Sequence, residues 1–218
     1  MAASSVFYML ANKLTTAGTT IVLEYIAPIL VFLFEVIFRK RKVVLFEALL
    51  TLMVFVGCVL SFADNIDMSH ILGNIFAIMS GFAYAGQLIV LASNNSNGQD
   101  VSIIGNLMSF LFSLPFFLTD TKLSFDYVNI IWILILSIFQ YGLANLLLSI
   151  GMKKVEKVKA SLILTLEPII NPILVYFING EAMGKLAILG SIIVIVSISI
   201  YSIISNDKIE TIKEINYD

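Results

Sequence analysis

Charge is scarce in this chain. Asp, Glu, Lys and Arg together make up 13% of its 218 residues, against about 25% in ordinary soluble domains. Hydrophobic residues make up 59%. A water-soluble globule of this length needs more polar side chains than that to cover its surface, so the composition points to an integral membrane protein.

Other shortages narrow the chemistry. The single cysteine, Cys58, excludes an intrachain disulfide and reads as a small buried hydrophobe in an apolar run. The single histidine, His70, lies at the edge of an apolar stretch. One His and one Cys cannot supply a zinc site or a His-dependent nucleophilic dyad. No Gly-rich phosphate loop is present, so nucleotide hydrolysis is not expected. No apolar stretch carries a lysine in its interior, which removes a retinal Schiff base. Net charge is −2 with no large basic cluster, which argues against nucleic acid as a partner. Neither an enzyme nor a bound cofactor is expected.

What the chain has in abundance is apolar length. Seven nearly uncharged stretches, 17–38, 44–63, 70–92, 101–119, 128–150, 160–178 and 185–205, are each long enough to cross ~30 Å of hydrocarbon at ~1.5 Å per helical residue. They lack the apolar-polar alternation of outer-membrane barrel strands. The expected fold is therefore all-α: a polytopic membrane helix bundle with seven full transmembrane helices. An apolar piece within residues 5–14 is too short to span and reads as a partial N-terminal helix. Its first basic residue, Lys13, follows the apolar part, which is not the order of a signal peptide. The polar segment 206–218 reads as a short frayed tail.

The basic residues predict orientation. Arg39, Lys40, Arg41, Lys42, Lys153, Lys154, Lys157, Lys159, Lys208 and Lys213 fall on one side, and Lys13, Lys122 and Lys185 on the other. Ten against three places the first group, and the C-terminus, in the cytoplasm of a multi-pass cell-membrane protein.

Acidic residues inside the apolar stretches need a reason, because each costs about 2.5–3.5 kcal/mol at a helix centre on insertion scales. Glu35 stands four residues before Arg39 and reads as an interfacial helix pair; Glu47 lies near the same surface. Glu24 and Glu167 stand roughly 10 Å deep at helical rise, with no Lys or Arg within a turn. In LTLEPIINPI, Pro168 and Pro172 lack the N–H that would bond to the carbonyls of Leu164 and Pro168. Bared backbone at membrane depth is tolerated only inside protein or along a water-filled cavity. Glu167, Asn171 and freed carbonyls thus gather near Pro168 and Pro172, and Glu24, Tyr25 and Pro28 in VLEYIAPIL repeat the pattern more weakly. A protonated, hydrogen-bonded Glu in a kinked helix is the alternative to a cavity or ion-linked role. Lesser polar marks are Tyr84, Gln87, Asn106, Gln140, Tyr141 and Asn145; Gln140 and Asn145 stand in mid-span, where amides read either as glue between helices or as cavity lining.

The run TTAGTTIVLEYIAPILVFLFEVIFRKR and the later VEKVKASLILTLEPIINPILVYFINGE together resemble the paired signatures of the drug/metabolite transporter superfamily, and more narrowly its EamA-type permeases. Pro28 and Pro168 occupy the matching prolines, Gly180-Glu181 the second loop, and Arg41 the place where the first half often carries Glu. ILGNIFAIMSGFAYA and SLPFF add to the likeness, which covers residues 5–205. The resemblance implies ten helices in two inverted five-helix repeats around a substrate cavity. On that pattern 1–69 is an incomplete first repeat, 70–205 a complete second repeat and 206–218 a cytoplasmic tail. Either the chain is a piece of a longer one, or it completes its cavity with a second copy as a homo-oligomer.

The implied function is a secondary transporter moving a small organic metabolite or drug-like solute by alternating access. Glu24 and Glu167 would be its ionisable groups, with Glu167 the better candidate for proton linkage. Tyr25, Tyr84, Gln140, Asn145 and Asn171 are candidate cavity residues, and Pro28, Pro168 and Pro172 candidate kinks. A non-transporting remnant or membrane interaction protein is the alternative.

Overall fold

The computed structural model describes residues 1–93, 97–119, 126–170, 174 and 184–215. Chain order gives α1 (Ala2–Leu14), α2 (Ala17–Glu24), α3 (Ala27–Ile37), α4 (Leu45–Ser61), a 3-10 turn at Ala63–Asn65, α5 (Ile71–Leu91) and α6 (Gly98–Thr119). There follow α7 (Tyr127–Ile135), a π-helical stretch Leu136–Leu143, α8 (Ala144–Gly151), α9 (Lys157–Leu164), α10, which starts at residue 166 and is described to 170, and α11 (Lys185–Ile215). No strand occurs among the described residues.

Four stretches of described helix are long and apolar enough to cross a membrane: Ala17–Ile37, Ile71–Leu91, Tyr127–Gly151 and Lys185–Ile204. They coincide with four of the seven expected spans. The expected span 44–63 forms the shorter helix α4, of 17 residues, and 101–119 lies within α6. The expected span 160–178 is broken: α9 ends at Leu164, Thr165 turns, and α10 takes over. The expectation of a frayed tail is corrected over part of its length, since α11 continues past residue 205 as far as Ile215.

The side-chain pattern is that of a protein solvated by lipid. Along α5 the buried positions are Gly73, Asn74, Ala77, Ser80, Gly81, Ala85, Leu88 and Leu91, a stripe at three- and four-residue spacing on one helix face. Most of these are small, while the opposite positions Leu72, Ile75, Met79, Phe82 and Val90 are large, apolar and exposed. In water that inversion would be ruinous. In hydrocarbon there is no hydrophobic force between helices, and close backbone approach through small residues holds them together. The stripe lets α1, α2 and α3 pack on α5.

A second tight seam joins α4 to α11. Its contact is nearly backbone on backbone: a Cβ built on Gly190 would fall 2.5 Å from the Gly57 carbonyl oxygen and from Ser61. Cys58 is fully buried beside this contact, in keeping with its reading as a small hydrophobe.

The helix ends are tied by threonines. The Thr16 hydroxyl caps α2 by accepting from the Thr19 amide at 3.2 Å and donates to the Asn65 carbonyl at 2.6 Å. The Asp67 amide donates to the Thr19 hydroxyl at 2.7 Å. These bonds fix the start of α2 against the connection between α4 and α5, so the position of Glu24 is set from both ends of its helix.

Gly190→Ala should lower the unfolding free energy of the detergent-purified protein by about 1–3 kcal/mol, the usual cost of overpacking. Gly86→Ala is the control, since a Cβ there meets nothing within 4 Å, and thermal unfolding followed by circular dichroism compares the two.

Candidate functional site

Two interrupted helices face each other across one cavity. The first interruption lies at Tyr25 and Ile26, between α2 and α3. Pro28 is therefore not a kink in mid-helix, as expected from the sequence; it sits in the first turn of α3, where a missing N–H breaks no helical bond. The second interruption lies at Thr165, between α9 and α10, with Pro168 inside α10. Gly81 of α5 permits the first break. A Cβ at Gly81 would come within 2.9 Å of the Glu24 carbonyl oxygen and 3.0 Å of that of Leu23, so α5 lies directly on the bared turn.

The cavity has a volume of about 680 Å³ and is lined by Glu24, Glu167, Pro168, the tyrosines Tyr8, Tyr25 and Tyr84, and the apolar Ile21, Ile170 and Leu174. Glu24 is the last residue of α2, and its Oε1 accepts from the Ser80 hydroxyl at 2.5 Å. Ser80 also lies 3.2 Å from the Ser4 carbonyl oxygen of α1, so α1, α2 and α5 meet at this carboxylate. Glu167 lies in α10 and is exposed to the cavity. The Tyr25 hydroxyl donates to the Leu164 carbonyl at 3.4 Å, and its ring meets that of Tyr84 edge-on with centroids 6.4 Å apart. Leu164 is the residue whose carbonyl Pro168 leaves without an amide. A hydroxyl from the other half of the chain takes the place of that amide.

Glu24, Tyr25, Tyr84, Glu167 and Pro168 are thus brought together. Asn145 is partly buried in α8 and is not among the cavity residues. The side chain of Gln140, together with Asn171, Pro172, Gly180 and Glu181, lies outside the described residues. Gln87 serves as glue, accepting from the Ser4 hydroxyl of α1 at 3.2 Å. Tyr8 and Ser80 were not anticipated. A usable signal existed for Ser80, which stands four residues before Tyr84 and so shares its helix face. Among the described residues no three His, Cys, Asp or Glu side chains assemble as a metal site would require.

A separate cluster of charges lies where α3, α4 and α9 converge. Glu35 pairs with Arg39 at 3.6 Å, as its spacing predicts, but more closely with Lys157 at 2.9 Å. Arg41 pairs with Glu47 at 2.8 Å and with Glu156 at 2.5 Å. Desolvation works against the charge on Arg41, yet Glu156 and Glu47 outweigh it and hold the guanidinium above its ordinary range. Lys40 has φ of 54°; this left-handed residue reverses the chain after α3, and the Arg41 amide donates back to the Glu35 carbonyl at 3.2 Å. The turn aims Arg41 at its two carboxylates.

An all-α bundle with several helices long and apolar enough to cross a membrane is the architecture of a multi-pass membrane protein. The profile of the EamA-like transporter family matches residues 71–203, and the chain belongs to that family, within the drug/metabolite transporter superfamily. It is a family of transporters, not of enzymes. No curated protein matches the chain. A solved structure, titled only as the crystal structure of a protein, superposes with a TM-score of 0.80 at 15% identity, covering 94% of this chain and 73% of its own. At that identity the likeness is one of fold.

Tyr25→Phe should lower the unfolding free energy by about 0.5–1.5 kcal/mol, because it returns the Leu164 carbonyl to an unpaired state. Denaturation of the purified protein, with fluorescence of the single Trp132 as readout, measures the loss.

Proposed function

We propose that this chain is a secondary transporter that carries a small organic solute across the cell membrane by alternating access, with Glu24 and Glu167 as its ionisable groups. One observation carries the reading. Two carboxylates far apart in the chain, each at a helix interruption, share one cavity with three tyrosines. Such interruptions place bare backbone and side-chain charge where a solute or ion can be bound and released. Family membership supports transport as the activity. The proposed organisation is two inverted repeats, an incomplete one in 1–69 and a complete one in 70–205. The basic-residue bias supports a cytoplasmic location for the Arg39–Lys42 side and the C-terminus.

The lining also bears on the kind of solute. Its described residues include two carboxylates and three tyrosines but no Lys or Arg. Carboxylates and aromatic faces favour a group that is cationic or rich in hydrogen-bond donors over an anion. The polar groups lie beside Ile21, Ile170 and Leu174, which suit an apolar body. Glu24 already accepts a bond from Ser80, so Glu167 is the freer of the two to exchange a proton or meet the solute.

Solute flux into proteoliposomes, measured with and without a pH gradient, tests this. Gradient-driven uptake should fall in Glu167→Gln to the level seen with no gradient, while downhill exchange persists. Unchanged gradient dependence would remove proton linkage, and a complete lack of flux with every solute class would favour a membrane interaction protein.

A further inference from the structure

The charge cluster where α3, α4 and α9 meet lies apart from the cavity, and its geometry is that of a latch. Glu156 and Lys157 are consecutive residues at the start of α9. One bonds Arg41, in the connection between α3 and α4, and the other Glu35, in the last turn of α3. The two pairs have opposite polarity. Sliding α9 by one residue would set Glu156 against Glu35 in one direction, or Lys157 against Arg41 in the other, so the pairs accept only one register. The Lys157–Glu35 pair is nearly shielded from solvent, with side chains 10% and 15% exposed. A shielded pair is far more costly to break by halves than to release as a unit.

The path between this latch and the cavity is closed. Val158 and Leu162 of α9 and Val31 of α3 are fully buried, and Ser161 and Phe32 nearly so, where α3 and α9 pack together. The Tyr25–Leu164 hydrogen bond lies at the cavity end of this packing. Cavity residues Ile21, Ile170 and Leu174 continue on the far side of that bond along the chain. The cavity therefore extends away from the latch. α9 is only eight residues long, bounded by the latch at one end and the Thr165 break at the other.

We propose that the paired ion bonds Glu35–Lys157 and Arg41–Glu156 are the closed gate on the Arg39–Lys42 side of the transport path. The gate opens when α9 swings away from the α3–α4 connection, exposing the face of α9 that carries Ser161. This rests on the alternating-access reading above and assigns it a specific gate.

Reactivity of single cysteines tests the gate without any solute. In a Cys58→Ser background, Ser161→Cys reports on the closed path and Ile21→Cys on the cavity, each reacted with a membrane-impermeant maleimide in purified protein held in nanodiscs. Lys157→Gln should raise the rate at Ser161→Cys about tenfold and lower that at Ile21→Cys, as a modest shift between two states requires. Restoring the pair in reverse, with Glu35→Lys and Lys157→Glu together, should return both rates toward their starting values. An unchanged rate at Ser161→Cys, or a rise at both positions, overturns the proposal; the latter is what simple loosening of the fold would give. Reciprocal change in a protein that shows no flux would retain the gate and defeat the transport reading. Flux without reciprocal change would do the opposite.

Discussion

The hydroxyl of Tyr25 and the carbonyl of Leu164 join two parts of the chain at the point where both are weakest. Hydrocarbon offers no hydrogen bonds, so every backbone polar group within it must find a partner in the protein or in enclosed water. Breaking a helix there releases carbonyls with nowhere to go. This chain breaks two, α2/α3 and α9/α10, and sets them face to face. Tyr25, at the first break, supplies the donor that Pro168 withholds at the second. The cavity lies where the two breaks meet, and the breaks are tolerable because they face each other. Ser80 completes the arrangement by donating to Glu24, so a carboxylate deep in the bundle has a partner from a neighbouring helix.

Holding those breaks in place requires rigid surroundings, and the rigidity comes from small residues. α5 meets α1, α2 and α3 through Gly, Ala and Ser, and Gly81 brings it onto the carbonyls of Leu23 and Glu24. Gly57 and Gly190 do the same for α4 and α11. A larger side chain at these points would separate helices that must stay close for the Tyr25 and Ser80 bonds to form. Lipid then covers the large apolar residues left outside. α7 shows the limit of this logic: none of its side chains is buried, and its exposed surface is apolar apart from Asn129 and the Tyr127 hydroxyl.

Polar groups expensive enough to need a reason were legible from sequence, whereas their partners were not. Glu24 and Glu167 stood out because a carboxyl at depth demands explanation, and both line the cavity. Ser80 did not stand out, since a hydroxyl mid-helix can bond its own turn and attracts no notice; its true partner is 56 positions away. Glu35 shows the same limit. Local spacing pointed to Arg39, and that contact exists, but the closer one is to Lys157, 122 positions away. Pro28 was read as a kink because prolines in helices usually kink them. The chain instead ends one helix at Glu24 and starts another, leaving Pro28 where its missing amide does no harm.

Composition and periodicity alone determined that this is a membrane-embedded helical protein, roughly where its apolar stretches run, and which carboxylates need a reason to stand there. Those conclusions follow from the cost of moving charge and unpaired backbone into hydrocarbon, a cost each residue incurs by itself wherever the chain folds. Only the tertiary structure decided that Glu24 and Glu167 share a cavity, that Tyr25 satisfies Leu164, and that Glu156 and Lys157 grip the α3–α4 connection. Those are properties of pairs distant in the chain, set by how closely glycine and alanine allow particular helices to approach, and no local pattern encodes them.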